Sequence, residues 1–234
     1  MSALKDLSGD KLDLIIHSPG GQAETTEQLV NYLRKKYSHI RAIVPQNAMS
    51  AATMLACAAD EIVMGKHSAL GPIDPQFRID NQSVPAQAIL DEFQTALDEI
   101  AKGAKPTLWI KRLEGLTPGF LKSCENAIEL SRDLVRLWLS RYMFADDPQG
   151  DKKAYSIAEW LGAHANFKTH GRPIGIDMAS EKGLKVLALE ENQAFQEAVL
   201  SVFHAAEATF ETTSCFKIIE NHLGSGMYYT SKEK

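Results

Sequence analysis

Two short stretches of this chain carry residue types able to do chemistry. The first is Ser18-Pro19-Gly20-Gly21, directly after the apolar run from Leu12 to His17. Adjacent glycines let backbone amides turn toward a bound group with no Cβ in the way. Amides presented like that can stabilise a developing oxyanion. The same four residues also suit a plain strand-to-helix turn. The second stretch is Met49-Ser50-Ala51-Ala52, between Pro45 and a run of small residues ending at Ala59. A serine there is either the N-cap of a helix or an exposed hydroxyl available as a nucleophile.

The elements that must position these residues follow from the apolar pattern. Leu12 to His17 reads as a buried strand, and a helical pattern opens at Thr25 or Thr26, with Leu29, Val30 and Leu33 on one face. Arg34-Lys35-Lys36 suits its C-terminal end. Ile40 to Val44 is a second strand, Ser50 opens a small-residue helix, and Glu61 to Met64 is a third strand. Strand, helix, strand, helix, strand with short connections predicts βαβ units and a parallel sheet. Both chemical stretches then leave the carboxyl ends of strands, where open α/β sheets bind ligands.

Beyond Pro75 the pattern changes. A short hairpin is expected near Asn81, and helices over about residues 85–103 and 118–143. Residues 145–153 read as a polar loop, Ser156 as the cap of a short helix through Leu161, and 190–209 as a further helix. His17 on its buried strand reads as a core histidine, and His67 as a surface residue. Trp109, Trp138 and Trp160 read as core or interface residues.

Four segments in order carry a resemblance: Ser18-Pro19-Gly20-Gly21, Ala48-Met49-Ser50-Ala51-Ala52, Ala58 to Met64, and Ser68-Ala69-Leu70-Gly71-Pro72-Ile73-Asp74-Pro75. They resemble the Clp-protease and signal-peptide-peptidase class of the crotonase-like superfamily. Pro45-Gln46 and Gly71 to Gln76 look most like the serine dehydrogenase proteinase family. A weaker likeness continues around His170-Gly171-Arg172-Pro173-Ile174 and Lys217 to Glu220. The resemblance implies an α/β fold of stacked ββα units with a helical C-terminal part, as one domain over 1–234 with its core in 1–80. The strand that precedes Leu12 in those families is missing here, which would leave a sheet edge open.

The resemblance further implies a serine endopeptidase. Ser50 would attack the peptide carbonyl, Gly20, Gly21 and the amide of Ala51 would form the oxyanion hole, and substrate would pair as an added strand. Clp-type peptidases place a histidine base where this chain has Leu70 to Pro75. A Ser, Asp, His order maps instead onto Ser50, Asp74 and a later histidine, His170 first and His164 second. Signal-peptide peptidases use a lysine, which leaves Lys102, Lys105 and Lys111 open. Asp74 before Pro75 also fits a simple turn.

Composition bounds the rest. The chain has 234 residues, 44% hydrophobic and 24% charged, with net charge −5, so no basic surface for nucleic acid is implied. Cys57, Cys124 and Cys215 are widely spaced and form no metal-binding pattern, which points to a reducing compartment. No apolar stretch is long enough to span a bilayer and no leader pattern opens the chain, so a cytoplasmic location is expected, although related proteins can carry a membrane anchor. No metal or nucleotide cofactor is implied, and without a phosphate-binding glycine-lysine loop any ATP-driven unfolding needs a separate partner. The expected partners are a peptide or unfolded protein and further copies of the chain. Two rivals stand beside the peptidase: an acyl-CoA hydratase or hydrolase of the same fold, and an inactive oligomeric scaffold.

Overall fold

The computed structural model describes residues 2–231. Its elements run β1 (Lys11–Ile15), α1 (Ala23–Lys36), β2 (His39–Val44), β3 (Asn47–Ala48), α2 (Ala51–Cys57), β4 (Glu61–Met64), β5 (Ala69–Leu70), β6 (Gln76–Ile79) and β7 (Gln82–Pro85). Then come α3 (Ala86–Ala101), α4 (Thr107–Leu113), α5 (Phe120–Arg141), α6 (Gly150–Gly162), α7 (His164–Phe167), α8 (Ile176–Glu181), β8 (Val186–Ala188), α9 (Gln193–Thr212), β9 (Cys215–Glu220) and β10 (Gly226–Thr230).

The main sheet is parallel, in the order β1-β2-β4-β8. Central strands are apolar on both faces, as a sheet covered on both sides requires. Ala42, Val44, Ile62 and Met64 join one large core with Val30 and Leu33 of α1, the small residues of α2, and Val135, Trp138, Leu139, Ile157 and Leu161 of α5 and α6. Ile43 and Val63 point the other way and pack with Leu189, Phe195 and Val199, the last two on α9. A separate cluster joins Ala86 and Ile89 of α3 to Cys124 and Ile128 of α5.

Each early strand has a short companion beyond its carboxyl end. β3 pairs in parallel with β5, and Ser18 bridges Ala48 in the same sense. Strand, short companion and helix therefore repeat as stacked ββα units, the arrangement the resemblance implies. β1 lies at the edge of the main sheet, and among the described residues no strand pairs with its outer side.

Several expectations are corrected. Helix α6 begins at Gly150, not Ser156. Gly150 is there for close approach, since a Cβ on it would run into the Phe144 carbonyl oxygen. His17 is exposed, not core: Ile16 points inward, and His17 lies 3.8 Å from Glu207 with its ring edge-on to Phe203 of α9. Helix α4, strand β8 and the hairpin β9–β10 have no counterpart in the pattern-based reading. The expected hairpin near Asn81 is present as β6–β7, with positive φ at Asp80 (46°) and Asn81 (66°). Two such residues make the turn type whose twist matches a β-hairpin.

Candidate active site

The site is assembled on the row of short companions. Ser18 N–H donates to Asn47 O at 2.9 Å and Met49 N–H to Ser18 O at 3.0 Å. Ala69 N–H donates to Gln46 O at 2.7 Å, and Leu70 and Ile174 exchange N–H···O bonds of 3.0 and 2.9 Å. Ser18, Ala48, Leu70 and Ile174 thus stand side by side along one ladder. From those four anchors hang, within a few residues of chain, Gly20 and Gly21, Ser50, Asp74, and His170. Backbone hydrogen bonds thus bring four segments remote in sequence onto one ladder.

Ser50 precedes α2 but does not cap it, since its side chain makes no capping hydrogen bond. Its backbone sits at φ 54° and ψ −121°. An N-cap residue is ordinarily extended, whereas these angles belong to the first central position of a type II′ turn, where glycine dominates. A serine held there costs on the order of 1–3 kcal/mol and persists only where its surroundings impose it. The imposing neighbours are visible. Thr53 Oγ1 is buried and lies 2.6 Å from Ala48 O and 2.9 Å from Gly71 O, while Gly71 N–H donates to it at 2.9 Å. Behind them Ala51, Ala52 and Ala56 are buried, so α2 lies close against the sheet.

Gly20 touches Ser50 directly. A Cβ built on Gly20 would fall 2.8 Å from Ser50 Cβ and 2.7 Å from Met49 O, and Gly20 has φ +109°. No other residue fits there without displacement. The Gly20 N–H donates to Ser18 Oγ at 3.1 Å. The N–H groups of Gly21 and Ala51 have no acceptor among the described residues, and a Cβ on Gly21 would meet nothing within 4 Å. Of the three amides expected to form an oxyanion hole, that of Gly20 is taken by Ser18 Oγ, and those of Gly21 and Ala51 are free among the described residues.

Asp74 is 2% exposed, far too buried for a turn-forming aspartate with no other task. Its Oδ1 lies 2.8 Å from His170 Nδ1 and its Oδ2 lies 3.0 Å from His164 Nδ1. Gln76 Nε2 donates to Oδ2 at 2.9 Å. An ionised carboxylate only accepts hydrogen bonds, so with Asp74 charged each imidazole presents its Nδ1–H to it and turns Nε2 away. Both histidines named from the sequence are thus brought to the same aspartate. His164 arrives because Ile73 N–H donates to Leu161 O at 3.0 Å, which ties the end of α6 to the segment carrying Asp74. His170 arrives through the Leu70–Ile174 pairing.

The other candidates lie elsewhere. Lys102, Lys105 and Lys111 are exposed along the end of α3 and α4, and α3 packs on α5 and β7. His67 is exposed. Asp60 is structural: Arg34 donates to its Oδ2 at 2.8 Å and the Ile40 amide at 2.7 Å, with the Arg34 guanidinium stacked 3.9 Å above the Tyr142 ring. Trp138 lies in the core, Trp160 is partly buried at the edge of that core, and Trp109 donates to Glu99 at 2.9 Å. Burial pushes the Cys57 thiol up to about 12. Among the described residues no group of acids, histidines and cysteines is arranged to hold a metal ion, and no helix is long and apolar enough to cross a membrane. The residue that sequence reasoning missed is Gln76. Its place directly after Asp74-Pro75, on a strand edge, was the available signal.

Residues 2–200 match the family of ClpP-like SDH-type serine proteinases. One uncharacterized protein of Methanocaldococcus jannaschii is 31% identical over 175 residues, 75% of this chain and 51% of that protein. A second uncharacterized protein of the same organism is 31% identical over 187 residues, 80% of this chain and 57% of that protein. The chain thus spans about half the length of the curated relatives it matches.

Proposed function

The chain belongs to the family of ClpP-like SDH-type serine proteinases, and on that premise we propose that it hydrolyses peptide bonds through an acyl-enzyme on Ser50. The supporting observation is the ladder through Ser18, Ala48, Leu70 and Ile174, whose exits carry the diglycine, Ser50, Asp74 and His170.

In this reading His170 Nε2 takes the proton from Ser50 Oγ as the oxygen bonds to the scissile carbonyl carbon. Asp74 holds the imidazole by its Nδ1–H and balances the positive charge that results. The carbonyl oxygen, now negative, receives the Gly21 and Ala51 N–H groups, while Gly20 supplies the close approach to Ser50. Collapse of the tetrahedral species breaks the C–N bond, and His170 returns the proton to the departing amine. A water then repeats the sequence on the ester, releasing the acid and restoring Ser50. His170 is preferred to His164 as base because it makes the shorter bond to Asp74 and follows from the same ladder as Ser50.

The test is labelling by a fluorophosphonate probe together with hydrolysis of an unfolded substrate such as casein. Labelling mapped to Ser50, and loss of both signals in Ser50→Ala, support the reading. A wild-type chain inert to the probe and to peptides across the pH range overturns it in favour of the inactive scaffold.

A further inference from the structure

Asp74 receives three side-chain donors from three separate segments, which is more than a base-orienting carboxylate needs. His170 alone takes Oδ1, whereas His164 and Gln76 share Oδ2. The torsion that turns a carboxylate about its last bond is broad and soft. An aspartate held by one imidazole could therefore swing either oxygen, or the edge between them, toward its partner. Two further donors on one oxygen remove that freedom.

Both donors are themselves held in place. Gln76 lies on β6, and its amide oxygen accepts the hydroxyl of Ser83 on the facing strand β7 at 3.3 Å, which turns Nε2 toward Asp74. The same Nε2 lies 3.3 Å from the Asp74 carbonyl oxygen. His164 opens α7, where Lys168 N–H closes the turn onto His164 O at 2.9 Å. That turn is pinned by Asn166 Nδ2 donating to Trp160 O at 3.1 Å and by the Trp160 and Phe167 rings, 5.3 Å apart.

Charge separates the two imidazoles. Asp74 supplies one negative charge, and in the proposed reaction His170 becomes positive when it takes the serine proton. A second imidazolium on the same carboxylate would compete for that charge. The task left to His164 is to offer Asp74 an N–H donor, which a side-chain amide can also do.

We propose that His164 and Gln76 are positioning residues: by occupying Asp74 Oδ2 together they fix the carboxylate so that Oδ1 faces His170. The inference rests on the reading of His170 as base. It predicts that His164→Phe, which keeps the ring volume and removes the donor, lowers kcat about 10- to 100-fold with KM changed less than about 2-fold, the scale of a misaligned catalytic group. His164→Gln, which restores an N–H, returns kcat to within a few-fold of wild type. Gln76→Met lowers kcat in the same sense by a smaller factor. A spectroscopic arm is independent of turnover: in 15N-histidine NMR spectra of the wild-type chain, the Nδ1–H protons of His164 and His170 are both protected from solvent, and His164→Phe exposes that of His170 to exchange.

Equal loss of kcat in His164→Gln and His164→Phe, with activity surviving in His170→Gln, would make His164 the base and overturn the inference. Unchanged kcat and an unchanged His170 signal in His164→Phe would overturn it as well. If the wild-type chain is not labelled at Ser50, the peptidase reading fails, and the NMR arm still decides whether His164 holds Asp74 toward His170.

Discussion

Gly20 carries no side chain because there is no room for one. Its φ of +109° and the 2.8 Å gap between a built Cβ and Ser50 Cβ forbid even alanine without moving the serine. Gly20→Ala is expected to leave the chain folded and to lower the rate of fluorophosphonate labelling at Ser50 at least about 100-fold, as a displaced nucleophile should. Cys57 makes a separate prediction. Burial pushes its thiol up to about 12 from an ordinary 9.0, so the folded chain keeps a proton that the unfolded chain loses above pH 9.0. A folded-state pKa raised in this way makes stability fall as pH rises, by about 1.4 kcal/mol per pH unit until the folded thiol ionises. Denaturant unfolding from pH 8 to 11 should be nearly flat below pH 9.0 and approach that slope above about pH 10, and Cys57→Ala should lack this share of it. In the native state Cys57 should also resist thiol reagents.

At the scale of elements, Thr53 is the staple between α2 and the exit of β5. Its hydroxyl serves Ala48 O, Gly71 O and Gly71 N–H in a fully buried position. Thr53→Val keeps the shape and strands those groups, at a cost of about 1–3 kcal/mol measured by chemical denaturation. Labelling of Ser50 should fall with it, because the same bonds fix the neighbouring turn. The three strands around this staple, and the helices between them, were legible in the sequence because apolar runs and turn residues mark them sharply. The family resemblance offered Asp74 with one later histidine, His170 or else His164, and that both bond it was not legible, since nothing local in Leu70 to Pro75 announces a partner some ninety residues away. Ser50 as a non-capping serine was not legible either: sequence shows a serine before a helix, and only backbone angles reveal that it does not cap. Strand β8 is three residues long, Val186–Ala188, too short for periodicity to register. The pattern read as a loop up to Lys153 became helix because Gly150, a breaker by composition, is used for contact with Phe144.

At the scale of the whole molecule, large apolar side chains remain on the surface. Leu108 and Ile110 of α4 are 73% and 61% exposed, and Phe216 on the β9–β10 hairpin is 63% exposed. Large apolar side chains left this exposed are candidates for an association surface. Sedimentation of the purified chain is expected to show a homo-oligomer, with Leu108→Asp and Ile110→Asp together shifting it toward the monomer. A monodisperse wild-type monomer at working concentrations would refute that expectation. The unfavourable backbone at Ser50 also bears on the entire chain. Glycine accepts φ 54° and ψ −121° freely, so Ser50→Gly should relieve local strain and raise the melting temperature, by a net gain of about 1 kcal/mol once glycine's greater unfolded-state freedom is set against it. On the proposed reading, the sturdiest version of this protein would then be one that lacks its nucleophile. A chain built for durability alone would place glycine there, so a hydroxyl at so awkward a backbone position would be the mark of use.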